Sequence, residues 1–308
     1  MSGWRNILRS RPVKFLVRAG TVLRWTLRLL LVLLVLDLFY LAITWPDWHQ
    51  LASGSIPKSA FMLHYEQERA RKGEPPSMRW QPVALATIPK HLQRAVIVAE
   101  DSRFYEHNGF DLIAFKEAMD HNVAEGRLAV GASTISQQTV KNLFLSSART
   151  PWRKWHELIL TWGMERNLSK ARILELYLNI AELGPGIYGV QAAAQNYWHV
   201  NATQLDPRQS AELAATLPSP IRNNPFTRTP QFDKRSARIL RLLVRHPGDA
   251  AEGVSGWERI LKEPESSETT EIAPECTDDD CPVTTTDSAP PAPPGQVPML
   301  EHVSPNLG

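Results

Sequence analysis

Pro89-Lys-His-Leu-Gln-Arg-Ala-Val-Ile-Val-Ala99 puts Leu92, Ala95, Val96 and Ala99 on one face at helical spacing, opened by a proline suited to a first helical position. The same pattern recurs on either side. Thr134-Ile-Ser-Gln137 reads as a capping box, and Thr150-Pro151, Asp206-Pro207 and Thr229-Pro230 each set an N-cap residue before a proline. Ser169 can cap a helix over 170–183 whose buried stripe is Ile173, Tyr177, Ile180 and Ala181. No sustained period-two run and no internal repeat breaks the pattern. The middle of the chain is therefore expected to be all-α, one domain large enough for its own core.

The two ends differ from this middle in opposite ways. Residues 21–45 are mostly apolar, unbroken from Leu29 to Leu36, and at ~1.5 Å per residue they reach across a bilayer core. Asp37 is the objection to a span: near mid-membrane it costs about 2.5–3.5 kcal/mol, which the Leu, Ile, Val and Phe around it offset. A cleaved signal peptide is the competing reading, but the run is too long and no small-residue cleavage site follows. Arg5, Arg9, Arg11, Lys14, Arg18, Arg24 and Arg28 precede the unbroken run with no acidic residue among them, so residues 1–20 are expected in the cytoplasm and everything after Trp45 outside. Trp45 and Trp48 suit the outer interface, Trp4 and Trp25 the inner one.

Residues 262–308 are rich in Pro, Ser, Thr, Glu and Asp and are expected to be a disordered tail. They hold both cysteines, Cys276 and Cys281, which suit at most a small local loop. The expected organisation is thus a basic segment over 1–20, a membrane helix over 21–45, a linker over 46–79, the folded domain over 80–261 and the tail. Of the net charge of +2, the first 45 residues carry +6 and the tail −9, leaving the middle at +5. A basic domain tethered beside a bilayer suits anionic head groups or a pyrophosphate; no nucleic-acid motif occurs.

Four blocks carry chemistry. In the first, Glu100 follows the Pro89 helix with Asp101 beside it; the helix C-terminus and that neighbour should both raise its pKa, as a general base near neutrality requires. In the second, Gln137, Gln138 and Lys141 bring amides and a cation to one helix face, able to hold sugar hydroxyls and phosphate oxygens. In the third, Arg153 and Lys154 precede Glu157 by four and three residues, so that carboxylate should stay ionised. The fourth runs from Lys170 to Asn179 and continues into a glycine-rich turn ending at Gly189. Each alone is ordinary helix exterior, a surface salt bridge or a core histidine such as His107. Their joint occurrence is not ordinary.

Together these blocks resemble the ordered motifs of the peptidoglycan glycosyltransferases, glycosyltransferase family 51. Glu100, Asp101, Phe104, His107, Gly109 and Asp111 meet the family's first motif; Gly131, Ser133, Thr134, Ile135, Gln137, Gln138, Lys141 and Asn142 meet its second. Arg153, Lys154 and Glu157 meet the third, and Ile173 to Asn179 the fourth. The resemblance implies a lysozyme-like, two-lobed helical domain that polymerises lipid II into β-1,4-linked glycan with inversion. It implies Glu100 as the base on the acceptor 4-hydroxyl. Lys141, Arg149, Arg153 and Lys154 would stabilise the departing pyrophosphate, with Glu157 placing a cation or the substrate. Asp101, Phe104, His107, Ser133, Thr134, Gln137 and Gln138 complete the substrate site it implies.

It further implies that the segment between Asp111 and Gly131 dips into the bilayer, and that the partners are lipid II, the lipid-linked nascent glycan, the membrane and other cell-wall synthesis or divisome proteins. The place it implies is the inner membrane, with the domain in the periplasm. No cofactor is required; some members use a divalent metal, Mg or Mn, at the pyrophosphate, but no cluster here has metal-ligand spacing. Two-domain relatives add a transpeptidase with Ser-x-x-Lys and Lys-Thr-Gly motifs; Ser55-Ile-Pro-Lys58 is a chance match, and no Lys-Thr-Gly occurs. Two other readings stay open: a glycan-cleaving enzyme of lysozyme-like fold, which would not need the cations, and a catalytically idle membrane-anchored partner of wall synthesis.

Overall fold

In the computed structural model the described residues are 11–75, 77–126, 131–148 and 150–245. They are mainly helical: α1 (Arg11–Ile43), α2 (Trp48–Ser53), α3 (Ala60–Arg71), α4 (Lys90–Glu100), α5 (Leu112–Glu125), α6 (Ile135–Phe144), α7 (Pro151–Asn167), α8 (Lys170–Ile180), α9 (Val190–Trp198), α10 (Pro207–Thr216) and α11 (Pro230–Arg245). The cytoplasmic expectation for residues 1–10, the end of the domain beyond Arg245, and the tail with its two cysteines fall outside the described residues.

The helices begin where local chemistry puts them. Thr134, Ser169 and Asp206 cap α6, α8 and α10 through their side-chain oxygens, and Thr150 caps α7 ahead of Pro151. Pro89 is the cap of α4 rather than its first residue, a one-residue shift. Gly126 ends α5 in the left-handed conformation.

The core gathers Leu92 of α4, Ile135 of α6, Met164 of α7, Ile173, Leu174, Leu176 and Tyr177 of α8, and Phe232 of α11. Each large apolar side chain buried there contributes about 1.5–3 kcal/mol relative to exposure. Helix α10 packs on both α4 and α11, and α6 packs on both α7 and α8. The last residue of α4, Glu100, meets α6 through Gln138.

Three features depart from the sequence reading. A small sheet is present, ordered β1 (Arg79–Trp80), β3 (Ile187–Tyr188), β2 (Glu182–Gly184), with β1 parallel to β3 and β2 antiparallel to it. Strands of two or three residues are too short to show alternation. The stretch expected as a linker over 46–79 is folded against the domain: Met62 of α3 is fully buried, and α2 and α3 pack on α7 and α6. Trp48 is a core residue and not an interfacial anchor, standing edge-on to Phe144 and Trp45.

Within α1, Gly20–Ile43 is long and apolar enough to span a bilayer and presents most of its surface outward, as a single-pass anchor would. Asp37 has a partner that the sequence could not show. Its carboxylate accepts from Trp155 Nε1 at 3.1 Å and from His156 Nε2 at 2.6 Å, both on α7.

Candidate active site

Glu100 is the last residue of α4, and 11% of its side chain is exposed. Gln138 Nε2 donates to one oxygen at 3.0 Å; an Arg235 nitrogen donates to the other at 2.9 Å and to the Ala99 carbonyl at 3.0 Å. Burial removes water from the carboxyl and pushes its pKa above the ordinary value; Gln138, Arg235 and Lys141 pull it down, and burial prevails. The direction matches the expectation, but the cause is desolvation. Asp101 turns its carboxylate away from Glu100, toward the Ile135 N–H and His107.

Gln138 is itself oriented. Its carbonyl oxygen accepts from the Tyr177 hydroxyl at 3.0 Å, which turns the amide nitrogen toward Glu100. Tyr177 is fully buried, and burial raises its pKa far above the usual phenol range, so it remains a donor.

The cations lie on α6 and α7. Glu157 is buried, and both its oxygens are engaged, by Arg153 at 2.6 Å and by Lys154. Lys141 is pushed below its ordinary pKa, chiefly by burial; Glu157 and Glu100 oppose this, Arg153 and Lys154 reinforce it, and all four charges are within its electrostatic reach. Around these groups are three cavities. One of about 400 Å³ is walled by Phe110, Leu112, Phe115, Met119 and Leu158, with Ser133 and Lys154 at its polar side. One of about 170 Å³ holds Glu100, Ser102 and Ser133; one of about 200 Å³ holds Gln138, Lys141, Asn142 and Tyr177.

Between α4 and α6 the loop from Asp101 to Asp111 closes on itself. His107 Nδ1 accepts from the Gly109 N–H at 3.1 Å, leaving Nε2 to donate to Asp101 at 2.9 Å. Thr134 caps α6 and donates its hydroxyl to the Gly109 carbonyl at 2.7 Å; Gln137 returns to the Thr134 N–H. Gly109 has φ +92°, and a Cβ there would meet Thr161 at 2.8 Å, so glycine is required twice over. Asp111 caps α5 and binds Arg103 at 2.8 and 2.9 Å. Burial alone would raise the Asp111 pKa, but Arg103 and the Ala114 N–H outweigh it and hold it low.

Residues 69–244 match the Transglycosylase family. The chain is also 40% identical over 237 residues to a biosynthetic peptidoglycan transglycosylase of Nitrosomonas eutropha, covering 75% of this chain and 94% of that one. Relatives with the same description in Methylobacillus flagellatus and Nitrosospira multiformis are 41% and 43% identical, over 71% and 59% of this chain and 94% and 79% of theirs. The chain belongs to the transglycosylase family. It is an enzyme of that family, and its motif residues separate by position in the fold.

In this transglycosylase Glu100, Gln138, Lys141, Ser133, Arg153, Lys154 and Glu157 border the cavities or bind one another beside them. Gln137 reaches the apolar cavity while serving as a cap. Phe104 has no exposed surface and packs against Tyr105 and His107 inside the loop. Asp101, His107 and Thr134 are likewise engaged within the loop. Arg149 lies outside the described residues. The sequence reading missed Arg235 and the role of Tyr177. Tyr177 read as an ordinary core position, and nothing local distinguishes Arg235 from the other cations of α11, a helix with basic residues on its exposed face.

Among the described residues Asp101, His107 and Asp111 bring one potential metal-ligand atom each within 4.8 Å of one another. They do not fit a divalent ion. Asp101 already accepts from two donors and Asp111 is neutralised by Arg103, so an added cation would have to displace Arg103.

Proposed function

We propose that this transglycosylase is a peptidoglycan glycosyltransferase that polymerises lipid II into β-1,4-linked glycan, releasing undecaprenyl pyrophosphate with inversion. The observation that carries this reading is Glu100: a buried carboxylate with raised pKa, aimed by Gln138 and Arg235, sharing one seam with Lys141 and the Arg153–Lys154–Glu157 group.

Glu100 takes the proton from the acceptor's GlcNAc 4-hydroxyl as that oxygen attacks the anomeric carbon of the growing chain. A raised pKa keeps the carboxylate basic enough for this near neutrality. The bond to pyrophosphate breaks on the opposite face, which gives inversion. The leaving group departs as an anion and needs charge rather than a proton, and Lys141, Arg153 and Lys154 supply it. Both oxygens of Glu157 hold cations, so its part is to fix them. The 400 Å³ apolar cavity, with Lys154 at its polar side, suits a polyprenyl chain whose phosphate meets that lysine. Exposed Leu112, Ile113, Phe115 and Val123 of α5 suit contact with acyl chains. The anchor confines the enzyme to the plane of its lipid-linked substrates and raises their effective concentration. The positive N-terminal flank supports an N-terminus inside and a periplasmic domain.

The deciding experiment is polymerisation of labelled lipid II by the detergent-solubilised full chain, beside Glu100→Gln, read as glycan ladders on a gel. Ladders from the wild type alone are expected. Equal ladders from both would place the base elsewhere, and cleaved muropeptides would favour a hydrolase.

A further inference from the structure

We propose, resting on the reading above for what the cations bind, that Asp37 of the anchor helix is a positioning residue for glycosyl transfer. By holding Trp155 and His156 it fixes the depth at which the cationic end of α7 meets the bilayer. Within the described part of the span only Asp37 and Leu41 are buried, one helical turn apart, and Trp48 is the next buried residue of this segment. The anchor thus meets α7 at two heights. Asp37 accepts from Trp155 and His156, and His156 stacks on Tyr40 with ring centres 6.1 Å apart. Just beyond the end of α1, the Trp45 ring lies so close to Gly163 of α7 that a Cβ there would come within 2.8 Å. Neither helix can slide past the other without losing both contacts.

The depth follows from the helix. Asp37 precedes Ile43, the end of the apolar run, by six residues, so its partners on α7 sit roughly 9 Å inside that end. Arg153 and Lys154 share the turn with Trp155. The contacts to Asp37 and Trp45 thereby set how deep these cations stand relative to a lipid-linked substrate. Consecutive residues divide the work: His156 faces the anchor, Glu157 faces the cations. A carboxylate in a membrane helix is expensive on its own account, and two donors from the catalytic domain give it a reason to be there.

The test compares the full chain in phosphatidylglycerol vesicles and in detergent micelles, with lipid II as substrate, for the wild type, Asp37→Leu and Asp37→Asn. Leucine suits the span, and circular dichroism confirms that the variant is folded. Asp37→Leu is expected to lose about tenfold in kcat/KM in vesicles, mainly through KM, and less than about twofold in micelles, where no plane sets depth. Asp37→Asn keeps an acceptor and is expected to retain most activity in both. An Asp37→Leu enzyme that matches the wild type in vesicles, or loses equally in both media, overturns the positioning role. So does an asparagine variant as impaired as leucine. A wild type silent in both media overturns the polymerase reading and the positioning with it, whereas an active wild type with an indifferent Asp37→Leu overturns the positioning alone.

Discussion

The loop from Asp101 to Asp111 and the seam from Glu100 to Glu157 are built from the same residue types and handle charge in opposite ways. In the loop Asp101, His107 and Asp111 each bind a partner within the fold, and Thr134 of the α6 cap ties down the Gly109 carbonyl. In the seam Glu100 and Lys141 are stripped of water without full neutralisation: the acid is pushed up and the base down, each toward neutrality. A motif read as one signature therefore mixes residues whose charge the fold settles with residues whose charge burial disfavours. Burial is common to both regions; what separates them is whether the partners outweigh it, as they do at Asp111 and do not at Glu100.

Substitutions sharpen that contrast. Glu100→Gln keeps the volume and the Arg235 contact and is expected to lower kcat by about 10²–10⁴-fold with the melting temperature held, measured by glycan synthesis and calorimetry. A large fall in melting temperature would move Glu100 into the shape-holding class. Arg103→Ala does the reverse: leaving Asp111 buried and unpaired is expected to cost about 3–5 kcal/mol in denaturant unfolding. Because Asp111 is held low, the stability it lends is full above the ordinary carboxylate pKa of ~3.9 and fades as pH falls through the depressed folded value. The Arg103→Ala deficit should accordingly shrink in acid.

Thr134→Ala removes the α6 cap and the bond to the Gly109 carbonyl, with an expected loss of about 1–2 kcal/mol and an unchanged kcat for the folded fraction. Arg235→Gln is the subtlest. Arg235 pulls the Glu100 pKa down, so without it that pKa rises further and the acid limb of kcat/KM moves to higher pH. A limb that stays in place would show that Arg235 serves only to dock α11.

The sequence made the helices legible because caps are local: Thr134 with Gln137, Ser169 before Lys170 and Asp206 before Pro207 need only three or four residues to declare themselves. Glu100, Lys141 and Glu157 were legible because their motifs sit in consecutive turns. What escaped was long-range. Trp48 looked interfacial since nothing nearby announces Phe144 as its partner. The β1–β3 pairing joins Arg79 to Ile187 through strands with no pattern of their own. Asp37 read as a cost to be offset, since its donors are more than a hundred residues away. The rise in the Glu100 pKa was foreseen for a local reason and arises from a global one, the closing of α11 and α6 around it.

Arg235 reaches back 135 residues to grip Glu100 and the carbonyl before it. Translation runs from the anchor toward α11, so the base is made early and its guanidinium partner late. A chain still being made has the acid and most of the cations yet lacks the last contact that aims the acid. Order of synthesis thus leaves the orientation of this acid to the last described helix, since the contact that aims it forms only once α11 has docked.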